Sequence, residues 1–176
     1  SYAHKPYGSM SGILVKPFLG RGTQVPNTHI AAILERANIE LEGVWLTHLH
    51  FDHAGGNRLF KESMFLVSVH ELEWAQRPEN EGKGYFKEDW NHPLNYKKLE
   101  GVYDILNDDQ ITIMPMPGHT PGHQVVIVRL KQQETIILSG DSVTFKENYE
   151  NKIISINNTD DVQVSSSVNK LTKILK

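Results

Sequence analysis

The chain carries 176 residues, 39% of them apolar, with 18 basic side chains against 21 acidic ones and a formal net charge of −3. That length suits one compact domain able to bury most of its apolar surface, and by itself it argues against a second full domain. The near balance of charge excludes a field that would draw in nucleic acid or an anionic membrane, and the absence of cysteine excludes disulfide frameworks, thiolate metal sites and cysteine nucleophiles.

Residues 1–26 are rich in Gly, Pro and Ser around a short apolar patch, Gly12 to Val15, and read as an irregular entry segment without a signal-peptide pattern. From Thr28, a plausible N-cap, the residues Ile30, Ile33, Leu34 and Ala37 recur at helical spacing, and Asn38 is the expected stop. Gly43 to Thr47 is β-branched and aromatic and predicts a short buried strand running into His48. A short helix carrying Leu59 and Phe60 follows, then a strand from Met64 to Val69 ending at His70, then a helix from Glu71 to Gln76. Residues 77–96 mix Pro, Gly, aromatic and charged side chains and read as a surface excursion with one helical turn near Tyr85 to Trp90. Strands are expected at Lys97 to Leu99, Gln110 to Met114, Gln124 to Leu130 and Thr135 to Ser139. Val168, Leu171, Ile174 and Leu175 then mark a helix over 165–176. The apolar runs are of strand length, far below the roughly 20 residues that cross a bilayer. Strands and helices in this order predict an α/β layered domain.

The densest chemical feature is the run from Thr47 to Asn57, in which His48, His50, Asp52 and His53 fall within six residues directly after a strand. In extended chain His48 and His50 project to the same side, and a turn into helix near Asp52 brings Asp52 and His53 toward a second point close by. Imidazole and carboxylate donors without sulfur favour zinc and also accommodate iron, manganese or cobalt. A second feature, Met116 to His123, places His119 in a loop held by two prolines and two glycines, again after a strand. A third, Gly140-Asp141, delivers a carboxylate at a strand end and is informative only beside the other two.

Taken together these three features resemble the successive metal motifs of the metallo-β-lactamase superfamily. Within it, HLHFDHAGGN, PGHTPGHQ and GDSVTFKENYEN are most similar to the N-acyl-homoserine lactonases that degrade bacterial quorum-sensing signals, with Lys146 to Asn151 and Leu94 to Tyr96 tilting the comparison that way. The similarity runs from about Ile30 to the end of the chain. It implies an αβ/βα sandwich, of which residues 1–176 form a single domain that is incomplete at both ends. The family's opening strands with their Asp-Thr-Gly turn have no counterpart, and the chain stops at Lys176, ahead of the last histidine ligand.

The resemblance further implies two divalent metal ions, one held by His48, His50 and His119, the other by Asp52 and His53, with Asp141 bridging them. A metal-bound hydroxide would then open the lactone ring, with Asp52 passing the proton. The lactonases carry a tyrosine three residues after the bridging aspartate, where its hydroxyl touches the substrate carbonyl. Here that position is Thr144, whose hydroxyl is set back by about the length of a phenyl ring and acts only through a water. The implied partner is a small-molecule lactone, with neither nucleic acid nor membrane, in the cytoplasm, and with homodimerisation open. Two other readings stand beside this one: an ester, thioester or phosphodiester hydrolase of the same superfamily, and an inactive or truncated chain. Among the remaining histidines, His70 is expected at a helix start or behind the ligands, His4 and His29 at the surface, His92 in the excursion, and His123 at the start of a strand. Trp74, Tyr85, Phe86 and Trp90 offer either an apolar wall for an acyl chain or core packing.

Overall fold

The computed structural model describes residues 28–131 and 134–175. The entry segment, the Gly12 to Val15 patch and His4 lie outside the described residues. In chain order the elements are α1 (Ile30–Ala37), β1 (Gly43–Trp45), α2 (Phe51–Ala54), β2 (Met64–Ser68), α3 (Val69–Ala75), α4 (Lys87–Trp90), β3 (Asn95–Leu99), β4 (Tyr103–Asp104), β5 (Ile111–Pro115), β6 (Gln124–Arg129), β7 (Thr135–Leu138), α5 (Lys146–Asn151) and α6 (Asp161–Ile174). Short 3-10 turns cover Asn57–Phe60, Pro78–Asn80 and Gly140–Ser142. Among the described residues no helix is long and apolar enough to cross a membrane. They divide into two compact units, one holding 28–66 and 75–97, the other 67–74 and the chain from 98 onward.

In the first unit β1 pairs parallel with β2, Val44 opposite Phe65, and β3 follows as the third strand of that sheet. Leu46, Leu49, Ala54, Phe65, Tyr85 and Trp90 form its buried apolar centre. Each such side chain contributes about 1.5–3 kcal/mol on leaving water. Helix α1 begins one residue later than expected: His29, not Thr28, is the N-cap, its Nδ1 accepting the Ala32 N–H at 3.2 Å. Asn38 ends the helix in the left-handed conformation with φ 52°, as its position predicts. Residues 77–96 are tied down from within: Tyr96 donates to the Trp90 carbonyl at 2.9 Å, and Asn57 donates to the Asp89 carbonyl.

In the second unit β4, β5, β6 and β7 form an antiparallel sheet in sequence order. Central β6 is buried from Gln124 to Ile127, so the strand reads as a continuous apolar run and does not alternate. Helix α6 starts four residues before the expected 165, because Asp160 caps it by accepting the Gln163 N–H at 3.0 Å. Its buried stripe is Val164, Val168 and Leu171, and Leu171 packs with Met116 and Val125. Leu175, expected on that stripe, is exposed. Helix α3 begins at Val69, so His70 lies on the helix and not at a strand end. Its side chain is exposed and pairs with Glu73 at 3.8 Å.

Candidate metal centre

In the first unit β1 delivers the chain to Leu46 and then, through a bend at Thr47, to His48-Leu49-His50, the last of these the N-cap of α2 with extended dihedrals. Leu49 and His48 are both fully buried, so the apolar neighbour anchors the segment while the imidazole beside it is removed from water. The amide nitrogens of His53 and Ala54 donate to the His50 carbonyl at 2.9 and 2.8 Å, and Phe51 N–H donates to Gly84 O at 2.9 Å. His48 Nε2 lies 3.0 Å from His50 Nδ1, and the His48 and His53 rings stand 4.1 Å apart. Thr47 Oγ1 is 3.0 Å from His48 Nδ1 and 3.2 Å from His53 Nδ1. A hydroxyl oxygen can accept from both, which leaves both Nε2 atoms as lone-pair donors for a cation. Asp52 is the exposed member of the group, its Oδ2 3.7 Å from His53 Nε2.

Tyr85 packs edge-on against His50, with ring centroids 4.7 Å apart. Gly84 closes the other approach: a β-carbon there would lie 2.7 Å from His50 Cδ2, and its φ of +87° favours glycine in any case. Of the four aromatics named for an acyl wall, Tyr85 and Trp90 are almost fully buried and belong to the core. Phe86 packs edge-on to Phe51. Thr47, which has no assigned role in the sequence reading, is the residue that joins two of the histidines.

In the second unit β5 runs into the loop 116–123, which the Met116 N–H to His123 O bond of 2.8 Å closes at its base. Both loop glycines are close approaches: a β-carbon on Gly118 would lie 2.3 Å from Val164 N, and one on Gly122 would lie 2.1 Å from Glu71 N. Glu71 on α3 is fully buried and accepts the Thr120 hydroxyl at 2.7 Å and the Gly122 N–H at 3.2 Å. The loop is therefore gripped by a buried carboxylate, a feature no local motif announces, because the partners lie 49 residues apart. His119, nearly buried, points Nε2 at Asp141 Oδ2 across 3.3 Å, and Asp141 itself is about a third exposed.

His123 is fully buried. Its Nε2 accepts the Asp141 N–H at 3.1 Å, so the neutral ring carries its proton on Nδ1 and donates to Ser142 Oγ at 3.0 Å. The histidine with an uncertain place in the sequence thus holds the carboxylate-bearing turn. Thr144 is exposed, 3.1 Å from Ser155 Oγ, and lines a cavity of ≈ 400 Å³ together with His119, Asp141, Phe145, Asn148 and Ile154. A volume of that order suits a small molecule, and the wall offers both apolar and hydrogen-bonding surface.

Each unit therefore gathers imidazole nitrogens and a carboxylate oxygen at close range, a donor set of the kind that divalent cations take. Comparison with known proteins points the same way. A family model described as the metallo-beta-lactamase superfamily matches residues 17–176. An N-acyl homoserine lactonase from a Bacillus species is 39% identical over 127 residues, covering 70% of this chain and 48% of the relative. The N-acyl homoserine lactonase AiiA of Bacillus thuringiensis subsp. kurstaki is 34% identical over 150 residues, covering 84% and 57%. A solved N-acyl homoserine lactone hydrolase, with the product N-hexanoyl-L-homoserine bound at its catalytic metal center, superposes with a TM-score of 0.78 at 30% identity, covering 99% of this chain and 68% of that one. The chain spans about half the length of the curated relatives it matches.

Proposed function

Because the chain belongs to the metallo-beta-lactamase superfamily, its family model covering residues 17–176, we propose that it serves the hydrolytic opening of a lactone ring, an N-acyl-homoserine lactone first. The observation that carries the reading is the close approach of His48 Nε2 to His50 Nδ1, 3.0 Å apart, and of His119 Nε2 to Asp141 Oδ2, 3.3 Å apart. Family and donor set together imply divalent metal ions. His48, His50 and His119 would hold one, Asp52 and His53 the other, with Asp141 shared; zinc is the cation this set suits first. When bound, such a pair supplies Lewis acidity and a nucleophile at neutral pH.

The residues themselves have distinct tasks. Tyr85 and Gly84 fix the His50 ring, and His123 orients the Asp141 turn. Asp52, exposed beside His53, would take up and release a proton at its carboxylate. The ≈ 400 Å³ cavity beside His119 and Asp141 supports a small amphiphilic substrate, with Phe145 and Ile154 against an apolar tail and Asn148 and Thr144 against polar atoms. Thr144 also favours a second reading, an ester or thioester hydrolase of the same superfamily. Its hydroxyl is bonded to Ser155 and too short to replace a tyrosine at a carbonyl. The neutral, cysteine-free composition suits the cytoplasm.

Elemental analysis of the zinc-loaded chain, followed by titration of the carboxylic acid released from an N-acyl-homoserine lactone, tests this. Two zinc ions per chain with ring opening that His50→Ala abolishes is the expected result. Two zinc ions with no lactone turnover and rapid ester turnover would transfer the reading to the second hydrolase class.

A further inference from the structure

Asn158 lies on the loop ahead of α6, and its contacts assign the orientation of its amide. Nδ2 donates to the Ser155 carbonyl at 2.6 Å and to Asp161 Oδ1 at 2.9 Å. A carbonyl and a carboxylate can only accept, so the nitrogen belongs on that side, and Oδ1 faces His119 Nδ1 at 3.3 Å. An amide oxygen has no proton to give. The bond therefore forms only when the imidazole donates, which requires the proton on Nδ1.

Nε2 then carries the lone pair and faces Asp141 Oδ2 at 3.3 Å, a carboxylate that competes for the ring proton until a cation takes that lone pair. The same loop grips the backbone of the histidine as well: Thr159 donates its N–H and its hydroxyl to the His119 carbonyl, each at 3.0 Å, and Asp160 N–H donates to Gly118 O at 2.9 Å. The ring is thus set in position by the loop's backbone and in protonation form by one side chain. Which ring nitrogen of a histidine binds a metal is decided by the hydrogen bond that the other one makes.

We propose that Asn158 is the positioning residue that keeps His119 protonated on Nδ1 and so presents Nε2 as the metal-binding nitrogen. The inference rests on the reading of His119 as a ligand, but the tautomer can be measured without metal. Chain labelled with nitrogen-15 in histidine is compared with and without zinc at about pH 9, above the ordinary imidazole range, and the His119 signals are assigned by their loss in His119→Gln. Nδ1 should resonate as an N–H nitrogen in the zinc-loaded chain, and in the metal-free chain the proton should be shared between Nδ1 and Nε2, because Asn158 and Asp141 each accept it. Asn158→Leu should lose the Nδ1 share in the metal-free chain and bind zinc about 10–100-fold more weakly in chelator competition.

A lone-pair resonance at Nδ1 of the unsubstituted chain would overturn the inference, as would an Asn158→Leu variant that keeps both Nδ1–H and full zinc affinity. If Asn158→Leu fails to fold, the unsubstituted spectrum decides. A chain that takes up no zinc yet shows Nδ1–H sinks the metal-centre reading and leaves the tautomer assignment standing.

Discussion

Gly122 is closed to a side chain by its surroundings and not by its own dihedrals. A β-carbon there would stand 2.1 Å from Glu71 N and 2.4 Å from Glu71 Cα, where ordinary contact begins at 3.4 Å. The obstacle is helix backbone, which cannot swing aside as a flexible side chain can. Gly122 is not among the glycines with positive φ, so the whole cost of Gly122→Ala is crowding. Overpacking of this kind costs about 1–3 kcal/mol. Any relief lengthens the 3.2 Å bond from Gly122 N–H to the buried Glu71 carboxylate, and a buried acceptor left short of a donor costs about 1–3 kcal/mol more. The expected loss is therefore about 2–6 kcal/mol, a large part of the 5–15 kcal/mol that holds a typical domain folded.

Urea unfolding followed by tryptophan fluorescence measures it. With a slope of about 2 kcal/mol per molar urea, the midpoint should fall by about 1–3 M. Gly101→Ala is the control: its φ is +67° with nothing within 4 Å, so it carries only left-handed backbone strain, about 1–2 kcal/mol. A Gly122→Ala chain as stable as the unsubstituted one, or less affected than Gly101→Ala, would refute the argument that the histidine loop is clamped on Glu71.

Gly84→Ala should act on the histidine cluster of the first unit. Its β-carbon would stand 2.7 Å from His50 Cδ2, and because a ring can move where backbone cannot, the imidazole turns away; chelator competition should show zinc affinity reduced about 10-fold or more, and unchanged affinity would mean that His50 is not a ligand. Alkaline stability depends on Tyr96, whose hydroxyl burial pushes up to about 12 from the ordinary 10.0, against a smaller opposing effect of the Asn57 amide. In the unfolded chain this phenol loses its proton first as pH rises, so its contribution is complete below about pH 10 and is lost on the way to about pH 12. Unfolding midpoints across that window should fall more steeply for the unsubstituted chain than for Tyr96→Phe, and parallel curves would contradict the burial assigned to the phenol.

Much of the site was legible because its signals are local. A β-branched strand that ends in His-x-His-x-Asp-His specifies alternation followed by a helical turn, and the structure places His48, His50 and His53 together through contacts spanning six residues or fewer. Gly118 in the His119 loop was equally readable, since its positive φ is what a turn asks of a glycine, whereas Gly122 answers to the distant Glu71 backbone. Less legible were boundaries set by side-chain capping: His29 displaced Thr28 as a cap, and Asp160 drew α6 back from residue 165. The two-residue strand β4 and the helix α5 went unread because both are too short to show a periodicity.

What the sequence determined by itself is the donor chemistry: imidazole and carboxylate without thiolate, in an order and spacing that one superfamily uses. What only tertiary structure decided is which nitrogen of each ring is offered and what holds the loops in place. Glu71 reaches Thr120 across 49 residues, Asn158 reaches His119 across 39, and His123 turns from a strand-start residue into the acceptor of the Asp141 amide. Such partners are chosen by the folded path of the chain, and a buried polar group must find one wherever that path leads, because leaving it unpaired costs more than any local preference in the sequence can offset.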